Sequence, residues 1–214
     1  MTTPLFKRMV AVGALTLAGI TAAPAAMAQE PLIFIHGYAN GTYNWDTMVS
    51  RFRADGYPAA KLYRFGYNSL VYSNRTSASY LSSFVDSVRA ANGYTQVSLI
   101  GHSNGGLVSR YYRAKLGGAT KTRRFISLGT PHAGSTWAYG CVSPVCFEMR
   151  PYSLFLTDLA GGQGCDRSLW SAVDGLVIPY TSAKCGYSVQ TANVLHNNLI
   201  LDASVYRQVR SLLQ

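Results

Sequence analysis

Short apolar runs recur along the chain after residue 30, each bounded by glycine, proline or polar residues. Runs of this kind are typical of buried β-strands. The strongest candidates are Leu32–Ile35, 61–67, 97–100 and 124–128, and two weaker ones are 167–173 and 189–195.

Apolar residues at helical spacing lie between and after these runs. Leu81, Phe84, Val85 and Val88 fall at i, i+3, i+4 and i+7, which is the buried face of an amphipathic helix. Similar stripes occupy 45–52 and 205–212, and Asp202 is suited to cap the last helix. Strands that alternate with helices predict an α/β fold with a mainly parallel sheet. Right-handed crossovers would put helices on both of its faces.

The first 28 residues have the three parts of a secretory signal peptide. Basic residues at 7–8 precede an apolar stretch over 9–20, and a small-x-small pattern follows at 26–28. A membrane anchor is the alternative, but the stretch is shorter than the roughly 20 residues that a spanning helix needs. We therefore expect a secreted protein, extracellular or periplasmic, with one domain over 29–214 and no transmembrane segment in the mature chain.

Composition and charge narrow the class of protein. With 48% hydrophobic and 13% charged residues, the chain is neither disordered nor fibrous. Its 19 basic and 9 acidic residues give a formal charge of +10. The basic residues are scattered and accompany no nucleic-acid motif, so we expect a solvated basic surface and no nucleic-acid partner.

All four cysteines fall in one stretch of the chain: Cys141, Cys146, Cys165 and Cys185. An even count in an exported protein indicates two disulfides. Of the three pairings, Cys141–Cys146 and Cys165–Cys185 are favoured because each closes a short local loop. A zinc site is the alternative, and it is disfavoured because no histidine lies between these cysteines.

A candidate nucleophile follows the third strand. Residues 101–105, GHSNG, match the G-x-S-x-G pattern between a predicted strand and a predicted helix. In that context Ser103 sits on a sharp, strained turn, and glycine on each side of it avoids a crowded Cβ. The alternative is a glycine-rich turn with an incidental serine.

The histidine that would act as general base follows from chain order. In enzymes whose nucleophilic serine lies in a G-x-S-x-G elbow, the acid and then the base follow the serine along the chain. Residues 104–131 contain no Asp or Glu, so no acid could lie between Ser103 and His132. This order excludes His132 as the general base and favours a structural role for it. His196, between the last strand and the last helix, is therefore the predicted base.

The acid must lie between Ser103 and His196. Asp174 ends the predicted strand 167–173, where its carboxylate can hold the imidazole in one tautomer. The other candidates, Glu148, Asp158 and Asp166, fall in a short helix or in turn-like sequence. For the oxyanion hole we predict two backbone N–H groups, those of Asn104 and Tyr38.

These motifs resemble the small secreted bacterial triacylglycerol lipases, the class 2 lipases with a minimal α/β-hydrolase fold. The likeness rests on 35–37, 101–105, 128–132, Asp174 and His196, in one order across most of 31–214. It implies a lipase or esterase without cofactor or metal, acting through a triad of Ser103, Asp174 and His196.

Further expectations concern the acyl pocket, a lid, the oligomeric state and the substrate. Asn104 stands where many relatives carry an apolar residue, so a more polar acyl pocket is expected beside it. The short connections predict no large lid, and we expect a monomer acting on lipid or other ester substrates. A carboxylesterase and a polyester depolymerase on the same fold are alternatives, and so is a catalytically silent secreted binding protein.

Overall fold

The computed structural model describes Met1, 29–93 and 95–214, so the predicted signal peptide, apart from Met1, lies outside the described residues. Six parallel strands form one sheet in the order β2-β1-β3-β4-β5-β6. The strands are β1 Leu32–Ile35, β2 Leu62–Phe65, β3 Val97–His102, β4 Thr122–Leu128, β5 Arg167–Trp170 and β6 Tyr187–Gln190. The predicted α/β class with a parallel sheet is confirmed.

Helices cover both faces of the sheet, as the pattern predicts. They are α1 Asp46–Ala54, α2 Asn74–Ala91, α3 Asn104–Lys115, α4 Gly118–Lys121, α5 Pro144–Met149, α6 Leu154–Thr157 and α7 Ala203–Leu212. Side chains alternate along a strand, so Leu32 and Phe34 pack with α1 and α7, whereas Ile33 and Ile35 pack with α2 and α3. A strand buried on both faces explains why β1 is a continuous apolar run.

Two strand boundaries differ from the sequence prediction. β5 ends at Trp170, so Asp174 lies in a turn four residues farther on, and β6 covers Tyr187–Gln190 instead of 189–195. Just past the end of β5, Ser171 Oγ accepts the N–H groups of Val173 and Val194 at 3.3 and 3.2 Å. A side chain thus takes up backbone donors that a longer strand would have used.

The connection from β4 to β5, residues 129–166, is the longest in the described part of the chain. It carries α5 and α6 and the Cys141–Cys146 disulfide, and its end is joined to the β5–β6 connection by Cys165–Cys185. Both favoured disulfide pairings are present. Among the described residues, no helix has the length and hydrophobicity needed to cross a bilayer.

Candidate active site

Ser103 occupies a sharp turn between the end of β3 and the start of α3. Its φ of +53° and ψ of −126° are rare for a residue with a side chain, and such a conformation costs about 1–3 kcal/mol. Neighbouring residues hold it there. The Ser103 N–H donates to the Leu128 carbonyl at 2.8 Å, and Thr130 Oγ1 donates to the Ser103 carbonyl at 2.9 Å. The turn exposes the hydroxyl at the carboxyl edge of the sheet.

Close backbone approach explains the glycines on either side of this turn. A Cβ on Gly101 would lie 2.7 Å from the Cα of Gly106, which belongs to the first turn of α3. A Cβ on Gly105 would lie 2.3 Å from the carbonyl oxygens of both Ile35 and His36. The predicted reason for glycine at these positions is therefore confirmed.

The His196 ring is fixed by Asp174. Nδ1 lies 2.8 Å from both carboxylate oxygens, and both side chains are buried, at 5% and 1% exposure. Asp174 Oδ1 also accepts the N–H groups of Leu176 and Val177 at 3.1 and 2.7 Å. The His196 N–H donates in turn to the Asp174 carbonyl at 3.0 Å. The carboxylate thus holds the proton on Nδ1 and leaves Nε2 free to accept another.

A cavity of about 260 Å³ brings Ser103 and His196 together with a mostly apolar wall. The wall includes Tyr38, Pro131, Trp137, Met149, Leu176 and Val177. Among the described residues, Ser103 Oγ makes no hydrogen bond with the His196 ring. Catalytic hydrogen bonds often tighten only when substrate is bound. A larger hollow, near Phe52 and Arg210, contains none of the predicted site residues.

The two predicted oxyanion donors are the backbone N–H groups of Tyr38, which lines this cavity, and of Asn104, which directly follows Ser103. Neither donates a hydrogen bond within the part of the chain that the structure describes. Asn104 is the first residue of α3, where an N–H group has no partner inside the helix and the helix dipole favours negative charge. Both N–H groups are therefore unpaired in this part of the chain, as the predicted oxyanion role requires.

The Asn104 side chain does not make the acyl pocket more polar, contrary to the expectation from its residue type. It is fully buried and does not line the cavity. Its Nδ2 donates instead to the Tyr67 hydroxyl at 3.1 Å.

His102 is a site residue that the sequence reasoning missed. Its Nε2 donates to the His196 carbonyl at 3.1 Å, and the two rings lie 4.7 Å apart between centroids. Burial first, and then the nearby His196, lower the pKa of His102 to about 3. The ring is therefore neutral at ordinary pH and adds no charge beside an imidazolium on His196. Its position directly before the nucleophile was the only signal in the sequence.

His132 lies apart from the cavity. Its Nε2 pairs with Ser127 Oγ at 2.9 Å, and burial lowers its pKa well below the usual value. Its ring also lies within 4.8 Å of the Cys165 and Cys185 sulfurs, but these are joined in a disulfide and offer no thiolate to a metal. His132 thus has the structural surroundings that the sequence predicts.

The three other candidate acids have partners elsewhere. Glu148 accepts the Asn74 N–H at 2.6 Å, Asp158 pairs with Arg75, and Asp166 accepts the Phe125 N–H at 2.8 Å. Each is thus held by a group outside the cavity, so Asp174 is the acid that the structure brings to His196.

The protein has the architecture of an α/β-hydrolase. It combines a parallel sheet with a serine on a strand-to-helix elbow, and an Asp and then a His follow later in the chain. The family model for Lipase (class 2) matches residues 29–212, and the chain belongs to this family.

Two curated relatives are triacylglycerol lipases. The protein of Burkholderia plantarii is 36% identical over 139 residues, and that of Pseudarthrobacter phenanthrenivorans is 35% identical over 122 residues. These matches cover 56% and 53% of this chain but only 37% and 36% of the relatives. The chain therefore corresponds to little more than a third of each relative.

Solved structures give the same fold. The mature Bacillus licheniformis lipase BlEst2 superposes with a TM-score of 0.75 at 16% identity, covering 87% of this chain and 93% of that one. Aspergillus fumigatus lipase B superposes with a TM-score of 0.65 at 14% identity, over 84% and 52% of the two chains. At these identities the likeness concerns the fold alone.

Proposed function

We propose that this protein is a secreted serine hydrolase that cleaves carboxylic esters, including triacylglycerols, through an acyl-enzyme. One observation carries the proposal: Ser103, on a strained elbow, shares a cavity with His196, whose ring is held by the buried Asp174. Membership of the class 2 lipases supports the reaction type. The named activity of the two bacterial relatives supports the substrate class.

The chemistry is acyl transfer in two steps. Ser103 Oγ attacks the ester carbonyl while His196 Nε2 takes its proton, and Asp174 stabilises the imidazolium. The Tyr38 and Asn104 N–H groups bind the oxyanion of the tetrahedral intermediate. His196 then protonates the leaving alcohol. Water, activated by the same histidine, attacks the acyl-enzyme and releases the carboxylic acid.

Export is the second part of the proposal. The signal-peptide pattern in residues 1–28 predicts removal before Gln29, which leaves the domain 29–214. Two disulfides are typical of a protein that matures in an oxidising compartment. N-terminal sequencing of the exported protein tests this part, and a mature chain that still carries residues 1–28 contradicts it.

The test of the activity is hydrolysis of p-nitrophenyl esters together with phosphonate labelling. The wild-type protein should turn over the esters and take up one phosphonate on Ser103, whereas Ser103→Ala should do neither. Ser83→Ala is the matched control, because Ser83 lies on the exposed side of α2 and, among the described residues, its side chain donates only to the Ser79 carbonyl of the same helix. If Ser103→Ala keeps wild-type turnover, the proposal is wrong.

A carboxylesterase is a second candidate, and the size of the cavity favours it. About 260 Å³ lies just below the roughly 300–1,000 Å³ of common small-molecule sites. A short acyl chain fits such a space more readily than a long one. Rates that peak at acetate to hexanoate would identify a carboxylesterase, and rates that rise toward palmitate would identify a lipase.

A further inference from the structure

The peptide between Gly37 and Tyr38 is oriented by a neighbouring ring. His36 Nδ1 donates to the Gly37 carbonyl at 2.8 Å. The Gly37 C=O and the Tyr38 N–H belong to one planar trans peptide, so they point in opposite directions. A carbonyl held toward His36 therefore turns the Tyr38 N–H away from that ring. Gly37 and Tyr38 both line the cavity that contains Ser103.

Tyr67, just after β2, holds His36 in three ways. Its hydroxyl donates to the His36 carbonyl at 2.9 Å, and its backbone N–H donates to His36 Nε2 at 3.3 Å. The two rings also stack, with centroids 4.4 Å apart and planes at 18°. Since Nε2 accepts from Tyr67 and Nδ1 donates to Gly37, His36 is the neutral Nδ1–H tautomer. Burial lowers the pKa of His36 and so favours this form.

The segment that carries Tyr67 also fixes the residue after Tyr38. Ala39 has a φ of +51°, which is uncommon for a residue with a side chain, and its N–H donates to Ser69 Oγ at 2.8 Å. The β2–α2 connection thus holds the chain on both sides of Tyr38.

The same tyrosine contacts the elbow. Asn104 Nδ2 donates to the Tyr67 hydroxyl at 3.1 Å, and that hydroxyl donates its own hydrogen bond to the His36 carbonyl. Burial raises the pKa of the Tyr67 phenol, so the hydroxyl stays protonated and remains a donor. One hydroxyl thus connects the residue that bears one oxyanion donor, Asn104, to the loop that bears the other, Tyr38.

We propose that Tyr67 is a positioning residue that, with the Asn104 side chain, sets the distance and direction between the two oxyanion N–H groups. The inference rests on the proposed ester hydrolysis. Tyr67 contacts no substrate in this scheme and acts through His36 and Asn104. Because the groups are preorganised, they interact with the negative charge of the transition state more strongly than with the neutral ground state.

Tyr67→Phe tests the proposal because it removes one oxygen and keeps the stacked ring. We expect kcat to fall about 10- to 100-fold, less than the 100- to 1,000-fold typical of losing a donor outright, with KM changed by about twofold at most. An alkylboronic acid, whose serine adduct is a tetrahedral anion, should bind more weakly by the same factor as kcat/KM.

Tyr63→Phe is the matched control. Tyr63 lies in β2, and its hydroxyl likewise accepts from an asparagine, Asn92 Nδ2, at 2.9 Å. Among the described residues, this hydroxyl makes no hydrogen bond with a residue of the candidate site. This variant should keep wild-type kinetics and boronate affinity. Thermal unfolding and phosphonate titration of both variants correct the rates for folded protein.

Asn104→Leu removes the other hydrogen bond and keeps the backbone N–H. If Tyr67 and Asn104 act as one unit, the double variant should be no slower than the slower single variant. Fully additive losses, or Tyr67→Phe kinetics equal to those of Tyr63→Phe, would overturn the inference. A wild-type protein that neither turns over esters nor takes up phosphonate would instead refute the proposed function, and the inference with it.

Discussion

Replacing Asp174 by Asn tests the reasoning about the site with little change in shape. The asparagine oxygen can still accept from Leu176 and Val177, as Oδ1 does now, so the turn should keep its structure. The amide nitrogen then faces His196 Nδ1, which now donates to the carboxylate at 2.8 Å. Two donors cannot face each other, so the ring proton moves to Nε2 and the base can no longer accept from Ser103.

The expected loss is large. A wrong tautomer and the missing carboxylate together cost roughly 10⁴-fold in kcat in a triad. That factor corresponds to about 5 kcal/mol of activation free energy, at 1.36 kcal/mol for each factor of ten.

The assay is steady-state hydrolysis of p-nitrophenyl butyrate by the wild-type protein, Asp174→Asn and Asp158→Asn. Asp158 is the matched control because it is another acid in the same interval of the chain, with a side chain that is 48% exposed and paired with Arg75. Its variant should stay within about twofold of the wild type, since exposed ion pairs contribute little. An Asp174→Asn rate within tenfold of the wild type would refute the assignment of the acid and of the tautomer.

Two further predictions concern the residues around the elbow. Gly105→Ala should lower the free energy of unfolding by about 1–3 kcal/mol or more, because its Cβ would lie 2.3 Å from the carbonyl oxygens of Ile35 and His36. Gly140→Ala should not lower it, because nothing lies within 4 Å of a Cβ at that position. Equal urea midpoints for the two variants would contradict this. His102 has a folded pKa of about 3 against an ordinary 6.5, so the unfolded chain binds more protons between these values and stability falls as the pH drops from 6.5 toward 3. His102→Gln, which retains a donor near the Nε2 position, should lose less stability than the wild type between pH 7 and 4.5, and parallel losses in urea unfolding would disprove the argument.

Local patterns in the sequence determine much of this protein's secondary structure and the position of its elbow. The strands, the amphipathic helices and the glycines of the elbow follow from contacts between residues close in sequence or from strict periodicity. Chain order alone separates His196 from His132, because no acid lies between Ser103 and His132. The two disulfide pairings also follow, since each closes a short loop.

Other features depend on contacts between distant residues, and only the tertiary structure decides them. Just past the end of β5, the Ser171 side chain accepts the backbone N–H of Val194, 23 residues away, and Asp174 lies in the turn that follows. Asn104 and Tyr67 are 37 residues apart, and His102 reaches a carbonyl 94 residues on. Residue type predicts that an asparagine is polar, but only packing determines which partner its amide meets. The sequence therefore predicts the reacting groups, and the folded sheet edge determines which side chains surround them.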